Sequence, residues 1–124
     1  MLQNDLYTFL SKETINENTF LANITLSEEH DIFKGHFPDN PILPGVCMLQ
    51  MIKDLLEDRL QKSIQLHMVA NVKLVAVVDP KHNQELTVKI NCEIIDKNTC
   101  KINGIISCKE VVFLKIINAV YLIR

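Results

Sequence analysis

Three prolines, Pro38, Pro41 and Pro44, recur at every third position and end against Gly45. Each proline fixes its own φ and pushes the residue before it towards an extended conformation. The segment they punctuate is therefore neither helix nor ladder strand but a stiff loop, with His36 and Phe37 held at its start. Gly45 marks where a helix begins. From there Val46, Met48, Leu49, Met51, Ile52, Leu55, Leu56 and Leu60 make a wide apolar stripe, broadest in its first half. Such a helix is buried on most sides where it starts. It is expected to surface at Lys53, Asp54, Glu57, Asp58 and Arg59, with Asp54 and Asp58 one turn apart on the polar side.

The stretches around this helix read as strands. Thr19 to Leu26 alternates as a first strand. Residues 64–78, 85–96, 99–109 and 111–123 are rich in Val and Ile and are separated by turn signals, among them residues 79–83 and 96–98. The pair Asn103-Gly104 reads as a tight turn or a bulge. In residues 1–13 the spacing of Leu2, Leu6, Phe9 and Leu10 predicts a short N-terminal helix, and residues 14–18 a polar link. Residues 1–18 are thus a helix and link, residues 19–124 the body, and the whole one domain. Antiparallel strands with one helix inserted after the first give an α+β fold.

The 124 residues suggest a modest core, yet 48% are hydrophobic and the mean hydropathy is +0.12. An interface is the simplest sink for that surplus. A net charge of −2 and the lack of a basic run speak against nucleic acid. Cys47, Cys92, Cys100 and Cys108 show no CxxC pair and no metal-ligand spacing, so reduced thiols, no metal and a cytoplasmic setting are the expectation. No signal-peptide pattern opens the chain and no apolar run reaches ~18 residues, so no membrane is expected.

The chemistry gathers in the proline loop. The amides of Gly45, Val46 and Cys47 are expected as unpaired helix-start donors, with the helix dipole favouring negative charge beside them. His36 alone could simply satisfy a backbone carbonyl. In this loop it also reads as a base, since an imidazole of pKa near ~6.5 can take a proton and return it near neutral pH. Gln50 is expected to face a different side from Val46 while still looking on the site. Asp54 reads as a solvated helix residue rather than as a substitute acid. Cys47 reads as small apolar packing rather than a nucleophile, and Met48, Met51 and Met68 as core filling rather than a tunnel lining. His30, His67 and His82 read as turn and strand histidines.

Residues 35–46, Gly-His-Phe-Pro-x-x-Pro-x-x-Pro-Gly-Val, resemble the signature of the hotdog-fold 3-hydroxyacyl-acyl-carrier-protein dehydratases. Residues 71–88 and 101–109 are similar to later strands of that family, so the likeness runs from about residue 20 to 122. It implies a long central helix wrapped by an antiparallel sheet. Two protomers would join edge to edge, each site taking the His from one and the helix residue from the other, as a homodimer or a higher, dimer-of-dimers-type oligomer. It also implies His36 as catalytic base, Gly45 and Val46 as the oxyanion and substrate-binding positions flanked by Phe37 and Pro44, and no cofactor. The partner would be an acyl carrier protein bearing a phosphopantetheine-linked acyl chain, met by Lys34 with Lys73 or Lys101. The family has an acidic residue fourteen positions after the His; here that position is Gln50. A carboxamide has no titratable proton, so it orients a hydroxyl or water instead. A thioesterase on the same scaffold and a catalytically weak partner subunit are the alternative readings.

Overall fold

The computed structural model describes residues 5–35 and 41–124. Among these residues six strands form one antiparallel sheet: β1 (Tyr7–Thr14), β2 (Thr19–Leu26), β3 (Ile64–Leu74), β4 (Glu85–Asp96), β5 (Thr99–Cys108) and β6 (Val111–Ile123). Their spatial order is β1-β2-β4-β5-β6-β3. A short helix, α1 (Asp31–Gly35), and a long one, α2 (Gly45–Leu60), lie in sequence between β2 and β3. This is the hotdog arrangement, with α2 as the filling.

Period-two alternation builds the core. Ala22, Ile24 and Leu26, then Leu86, Val88, Ile90 and Cys92, then Cys100, Ile102 and Ile106 turn inward from three neighbouring strands. Cys47, Met48, Met51, Ile52, Leu55 and Leu56 of α2 pack among them. Gly104 shows how close the helix comes: a Cβ there would sit 2.9 Å from Ile116 Cγ2 and 3.3 Å from Ile52 Cδ1. Asn103-Gly104 lies inside β5 rather than at a turn. The β5–β6 register slips there, and Asn118 adopts φ 50° with its amide donating to Asn103 Oδ1 at 2.9 Å. The slip lets β6 bury Leu114 and Ile116 before it and Ala119 and Tyr121 after it, all on the core face.

The predicted N-terminal helix is corrected over its described part. Tyr7–Thr14 is a strand, paired antiparallel with β2 from Tyr7↔Leu26 to Thr14↔Phe20. The apolar spacing fits a helix, but β2 offers a ladder next door, and a turn closes the hairpin. Asn16 Oδ1 accepts the amides of Asn18 (2.9 Å) and Thr19 (3.0 Å), an Asx turn that reverses the chain at the predicted link. Residues 1–4 of that prediction lie outside the described residues. The second predicted strand, residues 64–78, stops at Leu74. The Val75 and Ala76 amides donate to Phe113 O, and Val78 O accepts the Leu43 amide at 2.9 Å, so the chain bends over the start of α2. The one-turn helix α1 was not anticipated; His30 Nδ1 accepts the Ile32 amide at its start.

Candidate functional site

His36, Phe37 and Pro38 lie outside the described residues. The described half of the site is the start of α2. Pro44 precedes it in extended conformation (φ −63°, ψ 145°), with no side-chain cap and no acidic residue in the first turn. Pro44 O accepts the amides of Cys47 (3.0 Å) and Met48 (3.4 Å). The expectation of three open donors is therefore corrected to two: only the amides of Gly45 and Val46 lack an acceptor among the described residues. Cys47 folds back because its amide is the first within reach of the turn's own carbonyl.

An apolar cleft of about 290 Å³ opens at this helix start. Residues 42–45 form one wall and residues 74–77 the other, with Met48 between them. A larger hollow, about 380 Å³, lies between Asn23, Thr87 and Lys109 and is lined by no residue of α2. A Cβ at Gly45 would meet the Leu74 methyls at 3.2 and 3.3 Å, so the missing side chain is what lets cleft wall and helix start approach. Val46, 72% exposed, stands at the surface beside this opening.

Two expectations about α2 fail together. Four residues of helix turn through about 400°, so positions i and i+4 share a face. Val46, Gln50 and Asp54 thus form one stripe, not separate sides. The stripe descends from exposed Val46 through half-buried Gln50 to Asp54, which is 2% exposed rather than solvated. Gln50 Nε2 donates to Asp54 Oδ1 at 2.8 Å, and Tyr7 Oη donates to Asp54 Oδ2 at 2.5 Å. Burial raises the Tyr7 phenol pKa well above its usual value, and the Asp54 hydrogen bond and charge raise it further, so Tyr7 stays a donor. Tyr7 was not anticipated beside Gln50, and Asp54, weighed as a substitute acid, was expected in solvent instead. The Gln50–Asp54 spacing was legible; Tyr7 arrives on a strand that had been read as helix.

The remaining candidates sort by burial. Cys47 is buried, and burial pushes its thiol pKa up, which disfavours the thiolate a nucleophile needs. The four cysteines are free. Met48 and Met51 are core, whereas Met68 is 59% exposed on β3. His30 Nε2 lies 3.1 Å from Asp5 Oδ2, His82 Nδ1 lies 2.7 Å from Asp79 Oδ2, and His67 occupies the β3 bulge. Lys34 pairs with Asp31 and Lys101 with Glu93. Lys73 sits beside Leu74 of the cleft wall and opposite Lys115, whereas Lys101 pairs with Val120, five residues further along β6 or roughly 17 Å. Among the described residues no three His, Cys, Asp or Glu side chains are grouped to hold a metal ion, and no helix is long and apolar enough to cross a membrane.

Comparison with known proteins adds sequence and fold relationships. A family model, ApeI-like, described as ApeI dehydratase, matches residues 12–108. The 3-hydroxyacyl-acyl-carrier-protein dehydratase FabZ of Psychrobacter arcticus is 53% identical over 32 residues, which is 26% of this chain and 20% of the relative. That of Lactococcus lactis is 45% identical over 42 residues, 32% of this chain and 26% of the relative. The chain thus matches only a fifth to a quarter of these relatives' length. Among solved structures, the dehydratase heterocomplex ApeI:P from Xenorhabdus doucetiae matches with a TM-score of 0.70 and 20% identity, over 94% of this chain and 96% of that one. A hypothetical thioesterase with coenzyme A from Streptococcus pneumoniae gives a TM-score of 0.68 at 10% identity, over 95% and 85%. At these identities the likeness is one of fold.

Proposed function

The chain belongs to the ApeI-like dehydratase family, and from that premise we propose that it removes water from a 3-hydroxyacyl thioester held on the phosphopantetheine arm of an acyl carrier protein. The observation that carries this reading is the open helix start at the mouth of an apolar cleft, preceded in sequence by the proline-rich motif that bears His36. In the reaction the His36 imidazole takes the proton from Cα. The electron pair forms the Cα–Cβ double bond, the Cβ–O bond breaks, and the hydroxyl leaves as water with the proton that His36 returns. The Gly45 amide polarises the thioester carbonyl while negative charge builds on its oxygen. Carbon-lined walls at residues 42–45 and 74–77 take the acyl chain. Gln50, with no acid to offer, holds the departing hydroxyl by hydrogen bonds.

The working unit on this reading is a pair of copies joined through β3, with His36 of one protomer facing α2 of the other. Lys73 at the cleft wall and Lys34 near the His36 loop speed encounter with an acidic carrier. The test is turnover of carrier-bound 3-hydroxyacyl substrate, followed by the ultraviolet absorbance of the enoyl thioester. His36→Ala is expected to lower the rate by about 10²–10⁴-fold. Activity retained within about twofold removes His36 from the mechanism. A second reading, a weak partner subunit, rests on Gln50 alone. A wild-type chain that is inactive by itself but turns over as Gln50→Glu supports that reading instead.

A further inference from the structure

Asp54 is a buried carboxyl with no buried cation beside it among the described residues. Its two oxygens accept from Tyr7 Oη and Gln50 Nε2, and among the described residues no Lys, Arg or His stands within ion-pair distance of it. The nearest charged pair along the helix, Lys12 with Asp58, lies one turn further on and is half-exposed. Stability alone does not call for such a group, since apolar side chains of the same shape serve a core equally well. What the carboxylate does supply is direction. A carboxylate only accepts, so the Gln50 amide must turn its NH₂ towards Asp54 and leave Oε1 as the free end. The stripe Val46, Gln50, Asp54 places that free end between the buried acid and the helix start.

We propose that Asp54, anchored by Tyr7, is a positioning residue that locks the Gln50 carboxamide with its oxygen outward, so that this chain offers a fixed hydrogen-bond acceptor at the substrate β-hydroxyl and keeps the site's carboxylate one turn deeper. The role in turnover rests on the dehydratase reading; the locked amide does not. Tyr7 holds the carboxylate from β1, Gln50 caps it from α2, and the proton of a 3-hydroxyl is the complementary donor for Oε1. A second carboxyl introduced at position 50 would contact Asp54, and two contacting carboxyls do not both ionise readily.

Side-chain amide NMR of the intact protein tests the lock directly. In the wild type the Gln50 amide protons are expected to be shifted and slow to exchange. Asp54→Asn and Tyr7→Phe should loosen them. Exchange as fast as that of an exposed glutamine overturns the proposal whatever the activity. Carbon-13 titration of Gln50→Glu gives a second readout. The introduced carboxyl should lose its proton at higher pH than in Gln50→Glu/Asp54→Asn, where its carboxylate neighbour is gone; coincident titrations overturn the proposal. In turnover, Asp54→Asn should lower kcat about tenfold with KM within about twofold. The apolar pair Tyr7→Phe/Asp54→Leu should keep the fold and still lose that kcat, and unchanged kcat in both overturns the role in turnover. Intact NMR signatures in a wild type that dehydrates nothing would sink the proposed reaction and leave the locked amide standing.

Discussion

The sheet ends in two edge strands of opposite character. β1 carries Ser11, Lys12, Glu13 and Thr14 at its exposed end, and two of them, Lys12 and Thr14, are tied to the far turns of α2. Lys12 Nζ lies 3.0 Å from Asp58 Oδ2 and 4.8 Å above the Phe9 ring, and Arg59 Nη1 donates to Thr14 Oγ1 at 2.6 Å. β3 buries Ile64 and then exposes its next ten residues on both faces, including Leu66, Met68, Val69, Val72 and Leu74. Val75 and Val77 extend the exposed carbon to the cleft. Charged side chains make an edge a poor template for another strand, whereas an apolar edge invites one. One chain thus closes one side of its sheet and leaves the other open, next to the helix start where the substrate is proposed to bind.

The sharpest way to break this contrast is to place the same charge on each edge. Val72→Asp on β3 should weaken self-association by two to three orders of magnitude, about 3–4 kcal/mol. Leu10→Asp on β1 should leave it unchanged. Sedimentation at micromolar concentration decides; a monomeric wild type, or equal effects of the two variants, ends the distinction.

The two tyrosines offer a second handle, one beside each edge. Tyr121 of β6 pairs with Leu66 of β3, and burial, with a smaller push from Cys100, raises its phenol from 10.0 to about 12. Tyr7 of β1 is raised as well, by burial and then by Asp54. Both phenols are neutral in folded and unfolded chains below about pH 10. Above it the unfolded chain ionises first, so stability held below pH 10 is lost as pH climbs towards 12. The loss due to Tyr121 is about 2–3 kcal/mol. Urea midpoints across that range, with phenolate absorbance, should show Tyr121 ionising before Tyr7 in the native state. A midpoint flat across the range contradicts this.

Between the edges, Gly104→Ala should cost stability by overpacking Ile116 and Ile52, about 1–3 kcal/mol in thermal unfolding. It should not change which edge associates. The smallest effect belongs to the tied edge: Lys12→Met should cost at most about 1 kcal/mol, because the Lys12–Asp58 pair is half-exposed. A larger loss would mean that the tie, and not merely charge, keeps β1 closed.

What was legible in the chain was what neighbours in sequence can settle. The bounds of β2, β4 and β6 follow from alternation between turn signals, and the start of α2 from proline spacing ending on glycine. The motif in residues 35–46 carried the family. Where two local patterns competed, sequence misled: Leu6, Phe9 and Leu10 fit a helix until β2 supplied a ladder. The exposure of β3 was hidden for the same reason, since Val and Ile look alike whether a helix covers them or nothing does. Asp54 was misjudged because a carboxyl letter on a helix reads as solvated. Only the tertiary structure could bury it, because its anchor, Tyr7, lies forty-seven residues away and reaches it only once β1 has joined the sheet. Local torsional preference and periodicity are written residue by residue. The partner that makes a buried charge tolerable is chosen by the fold.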